Sequence, residues 1–332
     1  MDDLLERLHG CLAGLAIGDA MGMPGELIPE MTHARYGRIT TFLEPSADHP
    51  IHAGLKAGQV TDDTLAALAI IRSIVRAGRL SSEDVARSLV EWIDETDGLN
   101  LPYVGPSTKR AIQRLKQGIP PEEAGRWGWS NGAAMRIAPI GFLHPGDIPA
   151  TVEAARLASL PTHGTNTAIS GAAAVACAVT QCTVAGSGIA DIVEAAKRGA
   201  ELGERLGYPY FCPSISRRID FAVHLANQRK SVEARLRDLY DLVGTGLGSY
   251  EVVPVSLALF VMGGGDPMET IILAANTGGD CDTLGAIAGA IAGAYSTITA
   301  FPSQYVRTVE QVNDLDLQEI SLAFFEVIRR LN

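Results

Sequence analysis

Glycine recurs at every fourth position in two stretches of this chain, and no other feature limits the fold as much. Gly10, Gly14, Gly18 and Gly22 form the first series, and Gly285, Gly289 and Gly293 the second. Both lie in helix-like sequence, where each glycine costs about 1 kcal/mol relative to alanine. A series at i, i+4 stays on one helix face, and a face without side chains lets another backbone approach closely. The two helices are therefore expected to cross near the centre of the protein with their glycine faces together.

The rest of the chain follows the same helical period. Residues 2–20, 63–77, 82–96, 107–117, 148–158, 167–184, 189–206, 215–226, 231–243, 252–261, 267–275, 283–296 and 316–331 all read as helices. Boundary signals agree in places: Ser81-Ser82-Glu83-Asp84 makes a good start, and Ala77-Gly78 a good stop. No run alternates as strands do, and no fixed repeat is visible, so the expected class is all-α. A length of 332 residues allows two domains. No Pro/Ser-rich linker or charge block divides the chain, which favours one domain over residues 1–332.

Charge and cysteine narrow the function. The net charge is -11, from 38 acidic against 27 basic residues with no basic cluster, which argues against nucleic-acid binding. An anionic ligand would need local help from backbone N–H groups, a few Arg or Lys, or metal ions. The five cysteines form no C-x-x-C pair, and the acidic, amphipathic start MDDLLERLHG is unlike a signal peptide. A reducing cytoplasm is the expectation. Residues 164–190 and 283–306 are uncharged, and the second carries glycines at G-x-x-x-G spacing. Both are rich in Ala, Gly, Ser and Thr, so buried helices of a protein without membrane partners explain them better.

Acid gathers at two helix starts. One reads Thr61-Asp62-Asp63-Thr64, and the other NTGGDCDT, with Asp280, Asp282 and Thr283. Taken alone, either reads as an N-cap, since Asp and Thr oxygens accept orphan N–H bonds and suit the helix dipole. Yet each holds more acid than one cap uses, and each opens an Ala-rich helix of buried character. Carboxylates held together repel and are costly to desolvate, and oxygen ligands of this kind suit hard cations such as Mg²⁺ or Mn²⁺. No His or Cys cluster competes for zinc. A third acidic site, GDAMGMPGE, has Asp19, which can brace the turn, and Glu26, which can reach a cavity.

In this order, GCLAGLAIGDAMGMPGE, TDDT, SNGAAMRIAPIGF, PTHGTNTA and NTGGDCDTLGAIAGAIAGA resemble the ADP-ribosylglycohydrolase family over roughly residues 10–295. The resemblance implies a compact all-α orthogonal bundle with a binuclear Mg²⁺ or Mn²⁺ centre. Carried over by position, Thr61, Asp62, Asp63, Asp280, Asp282 and Thr283 would be metal ligands. Glu26 falls where the family has a glutamate near the reacting ribose. Asn131, Gly132 and the residues before them, Trp129 and Ser130 among them, match a loop that contacts phosphates and nucleoside, and His163 matches a histidine of the ligand cleft. Two features depart from the pattern: the tryptophans Trp127 and Trp129 before Asn131, and THGT in place of THP. Both lie on the substrate side, so reaction type transfers more firmly than substrate.

The implied reaction is hydrolysis of a C1″ N- or O-glycosidic bond of an ADP-ribosylated side chain or small ADP-ribosyl compound, through an oxocarbenium-like transition state. Glu26 is the first candidate for proton transfer, with Asp62 or Asp282 next. Phosphate candidates are the Gly105-Pro106-Ser107-Thr108 turn, which opens a helix, and the Ser130-Asn131-Gly132 loop. The Gly-rich segment 244–251 reads as a connector as readily as a phosphate loop, and Arg136 as a surface residue as readily as an aid to it. Trp127 and Trp129 suit either stacking on a base or ordinary packing. The remaining histidines, His49 and His52 included, lack ligand spacing and read as structural or exposed. Two alternatives stay open: a nucleoside or small N-riboside hydrolase with the same metal centre, and a non-catalytic, crystallin-like or ADP-ribose-binding member.

Overall fold

The two glycine series meet face to face. A Cβ added at Gly14 would overlap the carbonyl oxygen of Gly289, one at Gly18 that of Gly285, and one at Gly10 that of Gly293. Gly22 makes the same approach to Cys281. The pairing advances four residues on one helix as it retreats four on the other, so the helices run antiparallel. This computed structural model describes residues 3–331. Its first helix is α1 (Asp3–Gly22), and its partner is α14 (Cys281–Ser296). Asp2, which the periodicity includes in the first helix, lies outside the described residues.

Between and after them run α2 (Pro29–Tyr36), α3 (Asp62–Ala77), α4 (Ser82–Glu95), α5 (Pro106–Lys116), α6 (Pro121–Ala124), α7 (Ile148–Ser159), α8 (Asn166–Cys182) and α9 (Ile189–Gly203). The rest are α10 (Ile215–Ala226), α11 (Val232–Asp238), α12 (Ser249–Met262), α13 (Pro267–Ala275), α15 (Ser303–Asn313) and α16 (Leu317–Leu331). No strand occurs among the described residues, so the all-α expectation holds. Every predicted helix is present, with ends moved by a few residues. The predicted helix 231–243 divides into α11 and a π-helical turn, Leu239–Val243. Helix α12 begins at Ser249, before Pro254, which the sequence reading places near a helix start.

Three helices escape the sequence pattern. Helix α2 has eight residues and buries only Thr32, α6 has four, and α15 buries only Val309. Each lacks the wide apolar stripe that makes a helix legible. The two uncharged stretches fall in α8 and α14, which are buried almost throughout. Among the described residues no helix is long and apolar enough to cross a membrane.

The main core surrounds the α1–α14 pair and takes in Ile17, Ile70, Phe142, Val175, Ile287 and Phe324. A smaller cluster joins α10 to α12 through Ala222, Leu239, Val252 and Leu259. Because α1 and α14 are antiparallel, the carboxyl end of α1 lies against the amino end of α14. That places the acidic start of α14 in the interior.

Candidate active site

The starts of α4, α7, α8, α10, α11 and α13 are each capped by their own N-cap side chain. Ser81 accepts the backbone N–H of Asp84 at the start of α4, as the sequence suggests. Neither acidic start does this: Thr61 before α3 and Asp280 before α14 make no side-chain cap bond. Helix α3 is capped from another element. Asp19 of α1 accepts the N–H groups of Thr61 (2.9 Å) and Thr64 (3.2 Å) and both hydroxyls, at 2.9 and 2.6 Å. Asp19 therefore does more than brace its turn, and it leaves Asp62 and Asp63 free of capping duty.

The start of α14 is turned by Gly278 and Gly279, with φ of +86° and +80°, and a side chain at Gly279 would meet Thr245. The glycines thus permit the tight turn that aims the carboxylates. Asp280 receives the amide of Asn131 at 2.5 Å, and its own N–H donates to the Thr245 carbonyl at 2.8 Å.

Asp19, Asp62, Asp63 and Asp282 are buried and Asp280 is partly so. Burial, with the charges of Asp282 and Asp19, pushes the Asp62 carboxyl up to about 8. Burial likewise raises Asp19 to about 6, against the hydrogen bond from Thr64. Asp63 and Asp280 are driven well above the usual range, first by burial and then by neighbouring carboxylates. Asp63 Oδ1 has no partner at all. Asp282 goes the other way: burial pushes it up, but His52 outweighs burial and holds it at about 2. His52 Nε2 lies 3.1 Å from Asp282 Oδ2, and that carboxylate raises the imidazole above its ordinary value despite burial. Among the described residues no three His, Cys, Asp or Glu side chains already close on a single ligating point. The two helix starts bring a surplus of buried carboxyl groups together near the end of α1.

Glu26 stands apart from this cluster. It is buried, with Arg35 Nε 2.9 Å from its Oε1 and the Ser46 hydroxyl donating to the same atom at 3.0 Å. Its backbone N–H donates to Thr32 of α2 at 2.9 Å. His49 lies within the field of both Glu26 and Asp282, and its ring stacks on His52 with centroids 4.9 Å apart. The two histidines thus join the Glu26 side to the aspartates.

The backbone of Gly105, just before α5, lies beside Asp62 and favours its ionised form, against burial. Ser107 is buried in the first turn of α5. Ser130 Oγ lies 3.0 Å from His163 Nε2, and a Cβ at Gly132 would come within 2.8 Å of that nitrogen. Trp129 is half-buried and stacks on Tyr210, with centroids 6.0 Å apart and planes 5° from parallel. Trp127 is 52% exposed, with the Arg126 guanidinium over its ring. The 244–251 segment is a connector: Leu247 O accepts the Asn131 N–H, and Gly246 N–H is taken by Glu251.

Several residues here were misread or missed in the sequence. Arg136 is wholly buried, not a surface group. His49 and His52 are buried rather than exposed, held by the carbonyls of Gly25 and Met23, and His52 also reaches Asp282. Tyr103, raised to about 12 by burial and by Asp62 and Asp19, faces the same carboxylates and left no sequence trace. A cavity of about 440 Å³, lined by Pro29, His33, Leu236, Ile272 and Asn276, contains none of the predicted site residues.

Comparison with known proteins follows the same lines. The sequence model of the ADP-ribosylglycohydrolase family matches residues 1–331. The chain is 33% identical to the uncharacterized protein YegU of Escherichia coli K12, over 96% of each chain. It is 26% identical to ADP-ribosylhydrolase ARH3 of Bos taurus, over 96% of this chain and 92% of that one. A solved structure described as an ADP-ribosylglycohydrolase-related protein complex superposes with a TM-score of 0.74 at 25% identity, covering 98% of this chain and 99% of that one. The chain belongs to the ADP-ribosylglycohydrolase family and is a hydrolase of the glycosidase class.

Proposed function

We propose that this protein hydrolyses the C1″ glycosidic bond of an ADP-ribosylated side chain or small ADP-ribosyl compound, with divalent cations held between the starts of α3 and α14. The observation that carries this reading is the pair of acidic helix starts relieved of capping, one of them by Asp19 from a third element. A carboxylate cluster that is buried and mutually repelling, with one oxygen of Asp63 unpartnered, has the chemistry of an oxygen-donor cation site. Thr61, Asp62, Asp63, Asp280, Asp282 and Thr283 would hold two Mg²⁺ or Mn²⁺. When bound, such cations neutralise the carboxylates and supply Lewis-acid charge at the ribose.

The chain's own residues do the rest. Glu26, fixed by Arg35 and Ser46, takes the proton that water loses as it adds to C1″, and a proton passes to the departing nitrogen or oxygen as its bond to C1″ breaks. Ser107 in the first turn of α5, with Ser130 and Gly132, supplies O–H and N–H donors for the diphosphate, beside a Gly105 backbone that favours the ionised form of Asp62. Asn131 holds Asp280 in place. His163 supports Ser130, and Trp129, backed by Tyr210, offers its face to the nucleoside.

The test is incubation with Mg²⁺ or Mn²⁺, with and without EDTA, on ADP-ribosyl-arginine, ADP-ribosyl-serine and simple nucleosides. Cation-dependent release of ADP-ribose is expected. Release of free base from nucleosides, with ADP-ribosyl compounds untouched, would move the substrate to small N-ribosides. ADP-ribose binding without turnover of any substrate would point to a non-catalytic member.

A further inference from the structure

Arg136 is the largest wholly buried side chain among the described residues, and its charge has no carboxylate partner at bonding distance. Its Nη2 donates to Thr162 Oγ1 at 2.6 Å, while Nε and Nη1 have no partner. A buried cation with one hydrogen bond, and only the Asp62 charge beyond bonding distance to offset burial, is costly, so that bond needs a reason. The chain of contacts continues beyond it. Thr162 Oγ1 lies 2.7 Å from His163 Nδ1, and His163 Nε2 lies 3.0 Å from Ser130 Oγ. Gly132 makes room for the ring: an added Cβ there would stand 2.7 Å from Cε1.

The chemistry of the groups gives this chain a direction. A guanidinium only donates, so Thr162 Oγ1 accepts from Arg136. Among the described residues the Thr162 hydroxyl hydrogen has one acceptor in reach, His163 Nδ1. Burial, and after it the charges of Arg136 and Arg110, pushes the His163 imidazole well below its ordinary value and keeps the ring neutral. A neutral ring that accepts at Nδ1 carries its proton on Nε2 and donates to Ser130 Oγ. Ser130 Oγ then accepts from within, and its own hydrogen points away from His163.

We propose that Arg136 is a positioning residue that, through Thr162 and His163, orients the Ser130 hydroxyl as a donor toward the bound ligand. The device gives an acidic cleft a donor for a phosphate oxygen without a cation bonded to any of the aspartates. The ligand's identity rests on the ADP-ribosyl reading above; the direction of the hydrogen-bond chain does not.

The test separates the two. The protein is labelled with ¹⁵N-histidine, the His163 resonances are assigned with His163→Gln, and the tautomer is read from two-bond ¹H–¹⁵N couplings. ADP-ribose affinity is measured in parallel by calorimetry. The expected result is the Nε2–H tautomer in the wild type and in Thr162→Ser. Thr162→Val should lose that tautomer and weaken ADP-ribose binding about tenfold, the size of one hydrogen bond to an ionised group. Arg136→Lys, which keeps a donor, should stay close to wild type, and Arg136→Met should resemble Thr162→Val. An Nδ1–H tautomer in the wild type would overturn the proposal. So would a Thr162→Val protein with unchanged tautomer and unchanged affinity. A wild type with the Nε2–H tautomer but no ADP-ribose affinity would uphold the chain's direction and overturn the ligand assignment, and with it the role of Ser130.

Discussion

At the scale of single residues, Asp19 decides what the other aspartates are free to do. It takes over the N–H groups and hydroxyls at the start of α3, so the carboxyls of Asp62 and Asp63 are not needed there. Asp19→Ala would leave these buried donors without an acceptor and is predicted to cost about 1–3 kcal/mol of stability in EDTA. Denaturant unfolding checks this, and an unchanged midpoint would contradict it. Glu26→Gln, which keeps the size of the side chain, is predicted to abolish turnover while leaving cation and ADP-ribose binding in place; near-normal activity would remove Glu26 from the reaction. The six proposed cation ligands were legible in the sequence because they cluster within two short segments. Asp19, His52, Tyr103 and Arg136 were not, because each acquires its role from a residue far away in the chain. His52, for example, is defined by Asp282, and Arg136 by Thr162.

At the scale of elements, the α1–α14 pair positions the whole site. The expectation from glycine spacing was that the two helices cross. The register adds that Gly22 lies on Cys281, so the end of one helix fixes the depth of the other's acidic start. Gly14→Val and Gly18→Val are predicted to destabilise by about 3 kcal/mol or more, because the added carbons would meet backbone carbonyls that cannot move aside. Leu322→Ala, at a 43% exposed position of α16, should change stability by less than about 0.5 kcal/mol. Equal effects at the two sites, measured by thermal unfolding, would contradict the packing described. Helices with a broad buried stripe were legible from periodicity. Helix α2 was not, because it buries one residue, and yet it brings Arg35 and Thr32 to Glu26.

At the scale of the molecule, we propose that the chain unfolds as one domain, with a pH dependence set by the carboxylate cluster. Asp62 at about 8 and Asp19 at about 6, with Asp63 and Asp280 also raised, hold protons in the folded state that the unfolded chain releases near pH 4. These groups therefore favour folding at low pH, and that contribution is lost as pH rises from about 4 to about 8. Asp282, held at about 2, has the opposite sign, but its contribution is lost only below pH 4. In EDTA the melting temperature should fall across pH 5 to 8 in a single transition. Added Mg²⁺ binds the deprotonated carboxylates and should raise it more at pH 8 than at pH 5. Equal increments at the two pH values would contradict a cation site in this cluster. The central claim, that the starts of α3 and α14 form one cation centre, is tested most directly by Mn²⁺ titration followed by electron paramagnetic resonance. Two ions per chain with an exchange-coupled signal, lost in Asp62→Asn and in Asp282→Asn, is the predicted result. A wild type that binds no Mn²⁺, or variants that bind it as the wild type does, would contradict the claim.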